Sequence, residues 1–275
     1  MHFIAELQCA LMNHTRIAFL NSKGGVGKTT SAVNTAAALA ELGNSVLLID
    51  MDAQSHVASH LGLEVDIAKS VDAVLQEKRG RIEAAILKTP YANLDVVLST
   101  GKLEEVEKLL LMRNQPVDVL RRALQGVKSY DFVLIDCAPS LGVLSLNAIR
   151  ASDYLVIPTD LDKFSVDGMN RLGNVIAELH EDYADTSGQV LGVVITKFDR
   201  RQGIENRANQ RRLESSFGGE EVFFKRKIRI DERCKHATRE RCPVIDIKGS
   251  RAAEDYRALA REIVARLEER NLLAA

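Results

Sequence analysis

Tryptophan is absent from this 275-residue chain, and phenylalanine and tyrosine together make up only 5% of it. Five prolines in the whole length, with no Pro/Gly/Ser-rich or low-complexity run, supply nothing that reads as an interdomain linker. A single domain over residues 16–270 is therefore expected. Four cysteines (Cys9, Cys137, Cys234, Cys242) are scattered without a CxxC pair, which argues against a disulfide framework, a zinc finger and a subunit-bridging iron–sulfur cluster alike. No apolar run reaches the roughly 18 residues of a membrane span, and no solenoid period is present. The stretch Met1 to His14 is apolar but has no Lys or Arg ahead of its hydrophobic part, so it lacks the charged start of a secretory signal. A cytoplasmic protein is expected. Met12 stands just before the first strand-like run, so residues 1–15 read either as an extra helix or as an extension from a mis-assigned start.

Nor is there much net charge, only -1, but the average conceals a basic end. Lys197 to Arg241 holds 14 Lys plus Arg against 8 Asp plus Glu.

Hydrophobic residues, at 46%, are ample for a large α/β core. Nearly continuous Val/Ile/Leu runs recur at Ile17–Leu20, Val46–Ile49, Leu94–Leu98, Phe132–Ile135, Tyr154–Ile157 and Val190–Ile195. Such runs suit strands buried on both faces of a parallel sheet. Apolar residues at three- and four-residue spacing predict helices over Lys28–Leu42, Leu103–Leu111, Val166–His180 and Ala252–Arg270. The alternation predicts an α/β fold: a doubly wound, mostly parallel sheet with helices on both faces. Between Ala58 and Tyr91 the pattern is weaker, and two short helices are expected, at Val71–Glu77 and Ile82–Leu87.

Directly after the first strand stands Lys23-Gly24-Gly25-Val26-Gly27-Lys28-Thr29-Thr30, and a helix follows. The glycines let successive N–H groups turn inward on phosphate oxygens, and the helix N-terminus adds positive potential. Lys28 would reach the β and γ phosphates of ATP while the Thr29 hydroxyl ligates Mg²⁺. The Lys-Thr ending and the strand-loop-helix context distinguish this P-loop from a bare glycine turn. Two other apolar strands end in acids, Asp136 after Phe132–Ile135, and Asp50 with Asp52 after Val46–Ile49. Strand carboxyl ends in an open parallel sheet share one crevice, so these three acids can converge on the phosphate loop and its metal. Lys23 is not required by an ordinary P-loop. It reads either as a cation facing the nucleotide of a second subunit or as a plain surface lysine.

Asn21 to Thr30, Leu48 to Gln54 and Asp131 to Gly142, with Ser165 to Gly168 and Ser250 to Tyr256, resemble the ParA family of partition ATPases with deviant Walker A motifs, of the small type without an N-terminal helix-turn-helix. The resemblance implies a homodimer closed over two ATP molecules, with Lys23 crossing the interface and Asp52 placing the attacking water. It further implies Thr29, Asp50 and Asp136 around Mg²⁺, and Asp162 near the partner's nucleotide. Hydrolysis would be slow alone and stimulated by a ParB-like or other adaptor protein. Ala53 and Ala138 stand where the family usually has proline, so altered loop stiffness with retained binding is expected. The resemblance implies Arg229 at the nucleotide, but Lys227-Ile228-Arg229-Ile230 replaces the usual Ile-Pro-Arg near the adenine, so base contacts stay unassigned.

Non-specific DNA is the partner that the resemblance implies for the basic end. Few aromatics lie among its cations, so phosphate contact, not base stacking, is expected. Arg201 and Arg233 match family positions implicated in DNA contact, and Arg226 and Lys227 complete the candidate set. A nucleoid-associated protein that segregates a chromosome or plasmid is the default. Relatives that position chemoreceptor clusters or microcompartments use the same engine. A MinD-like membrane-surface ATPase is the further alternative, but Ile263 to Leu273 mixes acids with its bases and holds no aromatic, so no stable membrane anchor is expected.

Overall fold

The computed structural model describes residues 14–162, 165–201 and 203–274. Residues 1–13, which hold Cys9 and most of the expected extension, lie outside this range; Thr15, assigned to that extension on sequence grounds, opens the first strand.

In chain order the elements are β1 (Thr15–Phe19), α1 (Lys28–Glu41), β2 (Val46–Met51), α2 (His56–Leu61), α3 (Val71–Gln76), β3 (Leu87–Lys88), β4 (Leu94–Val97), α4 (Leu103–Leu110) and α5 (Val119–Ala123). They continue with β5 (Phe132–Cys137), α6 (Val143–Ala151), β6 (Tyr154–Thr159), α7 (Ser165–Asp182), β7 (Gln189–Ile195), α8 (Gly203–Ser216), α9 (Arg233–Glu240) and α10 (Arg251–Ala274). One seven-stranded sheet has the order β3-β4-β2-β5-β1-β6-β7. Every pairing is parallel except β3 with β4. The doubly wound expectation is met, with a correction between Ala58 and Tyr91. Where helix was expected over Ile82–Leu87, Ile82–Ala85 is a short 3₁₀ turn and Leu87 opens the antiparallel edge strand that it forms with Lys88. A run of six residues is too short for its period to separate the two.

Successive strand residues face opposite sides, and two cores follow from that alternation. Ala18, Leu47, Ile49, Val133 and Ile135 point toward α3 to α7. Ile17, Phe19, Leu48, Phe132 and Leu134 point toward α1 and α10. Helix α1 is lined with alanines (Ala32, Ala36, Ala37, Ala38, Ala40) and is buried on nearly every side between the sheet and α10. Small residues let it approach both neighbours closely, and Leu39, fully buried, fills what remains. Truncating Leu39 to alanine would cost about 2–5 kcal/mol.

The β7 edge is covered by the chain itself. Phe224 N–H donates to Val193 O at 2.9 Å, Ile228 N–H to Ile195 O at 2.8 Å, and Phe198 N–H to Ile228 O at 2.9 Å. Gly192 permits this: a Cβ there would meet Phe224 and Arg266 atoms at 2.7 Å. On the opposite face Arg150, with a side chain only 1% exposed, fastens α6 to α5 and to the turn after α7. It donates to Asp118 at 2.7 Å and Asp185 at 2.7 Å and lies over the Tyr183 ring.

Candidate nucleotide and magnesium site

Residues Asn21 to Gly27 form the loop from β1 into α1 at the carboxyl edge of the sheet, where β1 is flanked by β5 and β6. Gly25 (φ 73°) and Gly27 (φ 82°) occupy the left-handed region, so both conformations demand glycine. A Cβ on Gly24 would meet open space on the protein side. Helix α1 begins with Gly27 O accepting from Ser31 N–H at 2.8 Å, and no acid occupies its first turn, so its early N–H groups face the crevice uncompensated.

Asp50 and Asp136 are paired in register across β2 and β5. Both lie on the α1 side of the sheet, in the alternation that puts Leu48 and Leu134 into that core. Neither carboxyl is exposed at all. Asp50 Oδ1 accepts the Asp52 N–H at 3.0 Å, while Asp50 Oδ2 and both oxygens of Asp136 are buried without a hydrogen-bond partner. Burial, then the neighbouring Asp136 charge, pushes Asp50 well above the carboxylate range. Burial pushes Asp136 up to about 7, with the Asp52 charge adding to the rise and the nearby Thr29 hydroxyl and Lys28 ammonium opposing it. Burial holds Lys28 below its usual value against the charges of Asp136 and Asp52; its ammonium donates to Lys23 O at 3.1 Å. Asp52, nearly buried, closes a tight turn by accepting Gln54 N–H at 3.0 Å. Three acceptor oxygens with no donor, beside a lysine and a hydroxyl, fit a hard, oxygen-seeking divalent cation. Thr29, Asp50 and Asp136 are the residues that would hold Mg²⁺, directly or through water.

Lys23 does not point into bulk solvent. Its ammonium lies 2.6 Å from Asp160, 3.6 Å from Asp162 and 3.5 Å from the Ser165 hydroxyl. Asp162, which the resemblance put near the partner's nucleotide, stands beside Lys23 of its own chain; Asp160 is the nearer acid and has no place in the sequence reading. It ends the β6 run as Asp136 ends the β5 run, so the same strand-end signal was available. Asn21 also went unassigned. Its side chain donates to Pro158 O at 2.8 Å and accepts Lys23 N–H at 3.0 Å, which fixes the entrance of the loop.

Arg229 lies beside a cleft of about 460 Å³ that Phe198, Ile230, Arg200, Arg201 and Arg251 also line. Its guanidinium is engaged with Asp255 at 2.8 Å and Glu254 at 3.2 Å. Of the DNA candidates, Arg201 is 87% exposed and paired with Asp199, and Arg233 is half exposed at the start of α9. Arg226 is tied through its backbone to Glu262 and its guanidinium to Asp255. Lys227 is turned onto the Phe198 ring and Gln210, in a separate groove that also holds five glutamates. Arg201 and Lys227 thus line different clefts.

A family model described as an AAA domain matches residues 14–187. The sporulation initiation inhibitor protein Soj of Bacillus subtilis is 36% identical over 255 residues, covering 90% of this chain and 98% of that one. Chromosome partitioning protein ParA of Caulobacter vibrioides is 34% identical over 269 residues, covering 94% and 97%. Among solved structures, a cobyrinic acid a,c-diamide synthase of Mycobacterium smegmatis with bound ADP and magnesium aligns with a TM-score of 0.75 at 28% identity, over 90% of this chain and 93% of that one. A phosphate loop, a buried acid pair beside it, and relatives similar over almost their whole length lead to one conclusion: this chain belongs to the ParA/MinD family of partition ATPases, hydrolyses ATP with Mg²⁺, and acts in partition or positioning.

Proposed function

We propose that the protein is a nucleotide-timed switch that binds DNA without sequence preference in its ATP-bound dimer and releases it after hydrolysis, with a chromosome or plasmid as cargo. Lys28 and the loop N–H groups at Gly24 to Thr30 hold the triphosphate, Lys23 reaches the partner subunit's nucleotide, and Asp52 orients the attacking water. Thr29, Asp50 and Asp136 would hold magnesium, which would supply charge neutralisation at the phosphates. A ParB-like or other adaptor, which family membership leads one to expect, sets the rate of the step.

One observation carries the DNA reading. Arg200, Arg201 and Arg251 gather at a cleft fed by the loop that leaves β7, and that loop starts at Thr196, which touches the phosphate loop itself. Phosphate-binding groups are in this way continuous with the nucleotide site. Duplex retention measured with ATP, with ADP and without nucleotide tests the reading. ATP alone should support binding, which should weaken steeply between about 50 and 200 mM salt. Arg201→Ala combined with Arg233→Ala should abolish retention while hydrolysis persists. No retention with ATP and Mg²⁺ at the lower salt concentration would refute the DNA reading.

Leu272 and Leu273, 72% and 88% exposed at the end of α10, favour a membrane-surface role instead. The nearby cations do not support it. Arg266 is turned inward over the Phe224 ring and onto backbone carbonyls, and Arg270 over Tyr154 and Val190 O. Among the described residues no helix is long and apolar enough to cross a membrane. Sedimentation with anionic liposomes separates the two readings.

A further inference from the structure

We infer that Thr196, the first residue after β7, is a positioning residue for ATP that acts by aiming one peptide unit of the phosphate loop. Its hydroxyl lies 2.7 Å from Val26 O and 3.1 Å from Thr159 O. A hydroxyl has a single proton, and the shorter contact takes it. Thr159 O is already satisfied by Thr196 N–H at 2.7 Å, so Val26 O has the stronger claim. The residue is 3% exposed, and Val26 and Thr159 are fully buried, so no water competes for that carbonyl.

The consequence follows from the planarity of the peptide. Across a trans bond the C=O and the next N–H point in opposite directions. Fixing Val26 C=O toward Thr196 therefore turns the Gly27 N–H to the other side of the loop, away from β7. Gly27 sits at φ 82°, with no side chain to limit rotation of that unit, so the intrinsic conformational restraint is weak where it matters most. The Thr196 hydroxyl supplies the restraint. Asn21 holds the loop's entrance to Pro158 in the same fashion, so the carboxyl ends of β6 and β7 together fix both sides of the loop. Thr196 does not reach the nucleotide crevice; it acts through Val26.

Preorganised donors gain affinity because ordering is not left until binding. Loss of the hydroxyl should raise the KM for ATP and weaken binding of ATP and ADP about tenfold, the scale of one misdirected hydrogen bond. The kcat at saturating ATP should stay within about twofold, because the bound triphosphate reimposes the loop conformation. The test compares Thr196→Val, Thr196→Ala and Thr196→Ser by fluorescent-nucleotide titration, steady-state kinetics and thermal melting. Valine keeps the shape and lacks the proton; alanine is the second hydroxyl-free form should valine fold poorly. Serine restores the donor and removes only a methyl group, so it should bind ATP like the parent. Wild-type affinity in the folded hydroxyl-free variants would overturn the inference. So would a serine variant as weak as alanine, which would assign the effect to packing.

Discussion

Lys23 and Asp160 form an ion pair at 2.6 Å within one chain, with side chains only 26% and 20% exposed. The ammonium proposed to serve a neighbouring nucleotide is therefore already occupied at home. Burial raises the Asp160 carboxyl, but hydrogen bonds from Lys23 and Ser165 and the Lys23 charge outweigh it and hold the group below its ordinary value. The pairing is thus intact at neutral pH and is lost only as the pH falls through that depressed pKa. A partly exposed pair of this kind is worth up to about 1 kcal/mol. Asp160→Asn should shift dimer formation with a non-hydrolysable ATP analogue to about two- to fivefold lower protein concentration. Light scattering across a dilution series checks this, and weaker dimerisation would place Asp160 in the interface instead.

Asp50 and Asp136 predict a pH dependence of the nucleotide-free protein. Both folded-state values are raised, Asp136 to about 7, so the protein binds more protons folded than unfolded from about pH 4 upward. Their contribution to stability is fully present below the unfolded values and declines as the pH rises, for Asp136 through about 7. Asp136→Asn should therefore raise the melting temperature of the nucleotide-free protein near pH 8. The same substitution should remove most of the extra stabilisation that Mg²⁺ adds to bound ADP. A lower melting temperature would mean that the carboxylate has a partner in solution.

Lys28 and Asp52 should separate binding from hydrolysis. Lys28→Ala removes the buried cation of the phosphate loop and should abolish nucleotide binding in a fluorescent-ATP titration. Asp52→Ala should leave ATP affinity within a few-fold, lower kcat by about 10²–10⁴, and trap an ATP-bound dimer on DNA. A monomeric Asp52→Ala protein in saturating ATP would contradict that role.

Arg150 predicts a stability effect away from the site. Arg150→Ala would leave the nearly buried Asp118 carboxylate with only the partly exposed Arg121, at 3.1 Å, and should cost about 1–3 kcal/mol. The melting temperature should fall by roughly 5 °C. Arg150→Met with Asp118→Leu should recover much of the loss; failure to recover would mean that the Tyr183 and Thr186 contacts carry the stability.

The sequence revealed those features that are local in the chain. Apolar runs gave six strands because a parallel strand covered on both faces must be apolar almost throughout, and the glycine loop between strand and helix gave the phosphate site. Register was invisible, since nothing in Val46–Ile49 or Phe132–Ile135 says that β2 and β5 are neighbours or that Asp50 stands opposite Asp136. Helices α2 and α5 are too short to carry a period, and α9 buries only Ala237, so no apolar stripe marks it. Asp160 was passed over for Asp162 two residues on, although both stand by Lys23. Thr196 and Asn21 act through backbone carbonyls, and no pattern of residue types announces that. Arg229 and Lys227 looked like free cations in sequence because Asp255 and Gln210, their partners, come from distant segments.

The two flanks of the sheet bear on how copies of the protein can meet. At one flank the chain folds back over β7; at the other, β3 is a two-residue strand with the exposed Lys88 at its end. Neither offers an open hydrogen-bonding ladder onto which a second molecule could zip, so growth into a continuous ribbon is discouraged. Association is left to side chains and to whatever small molecule they share, contacts that can be dissolved in a single chemical event. If the protein is the timed switch proposed above, blunt margins would help to keep each union temporary.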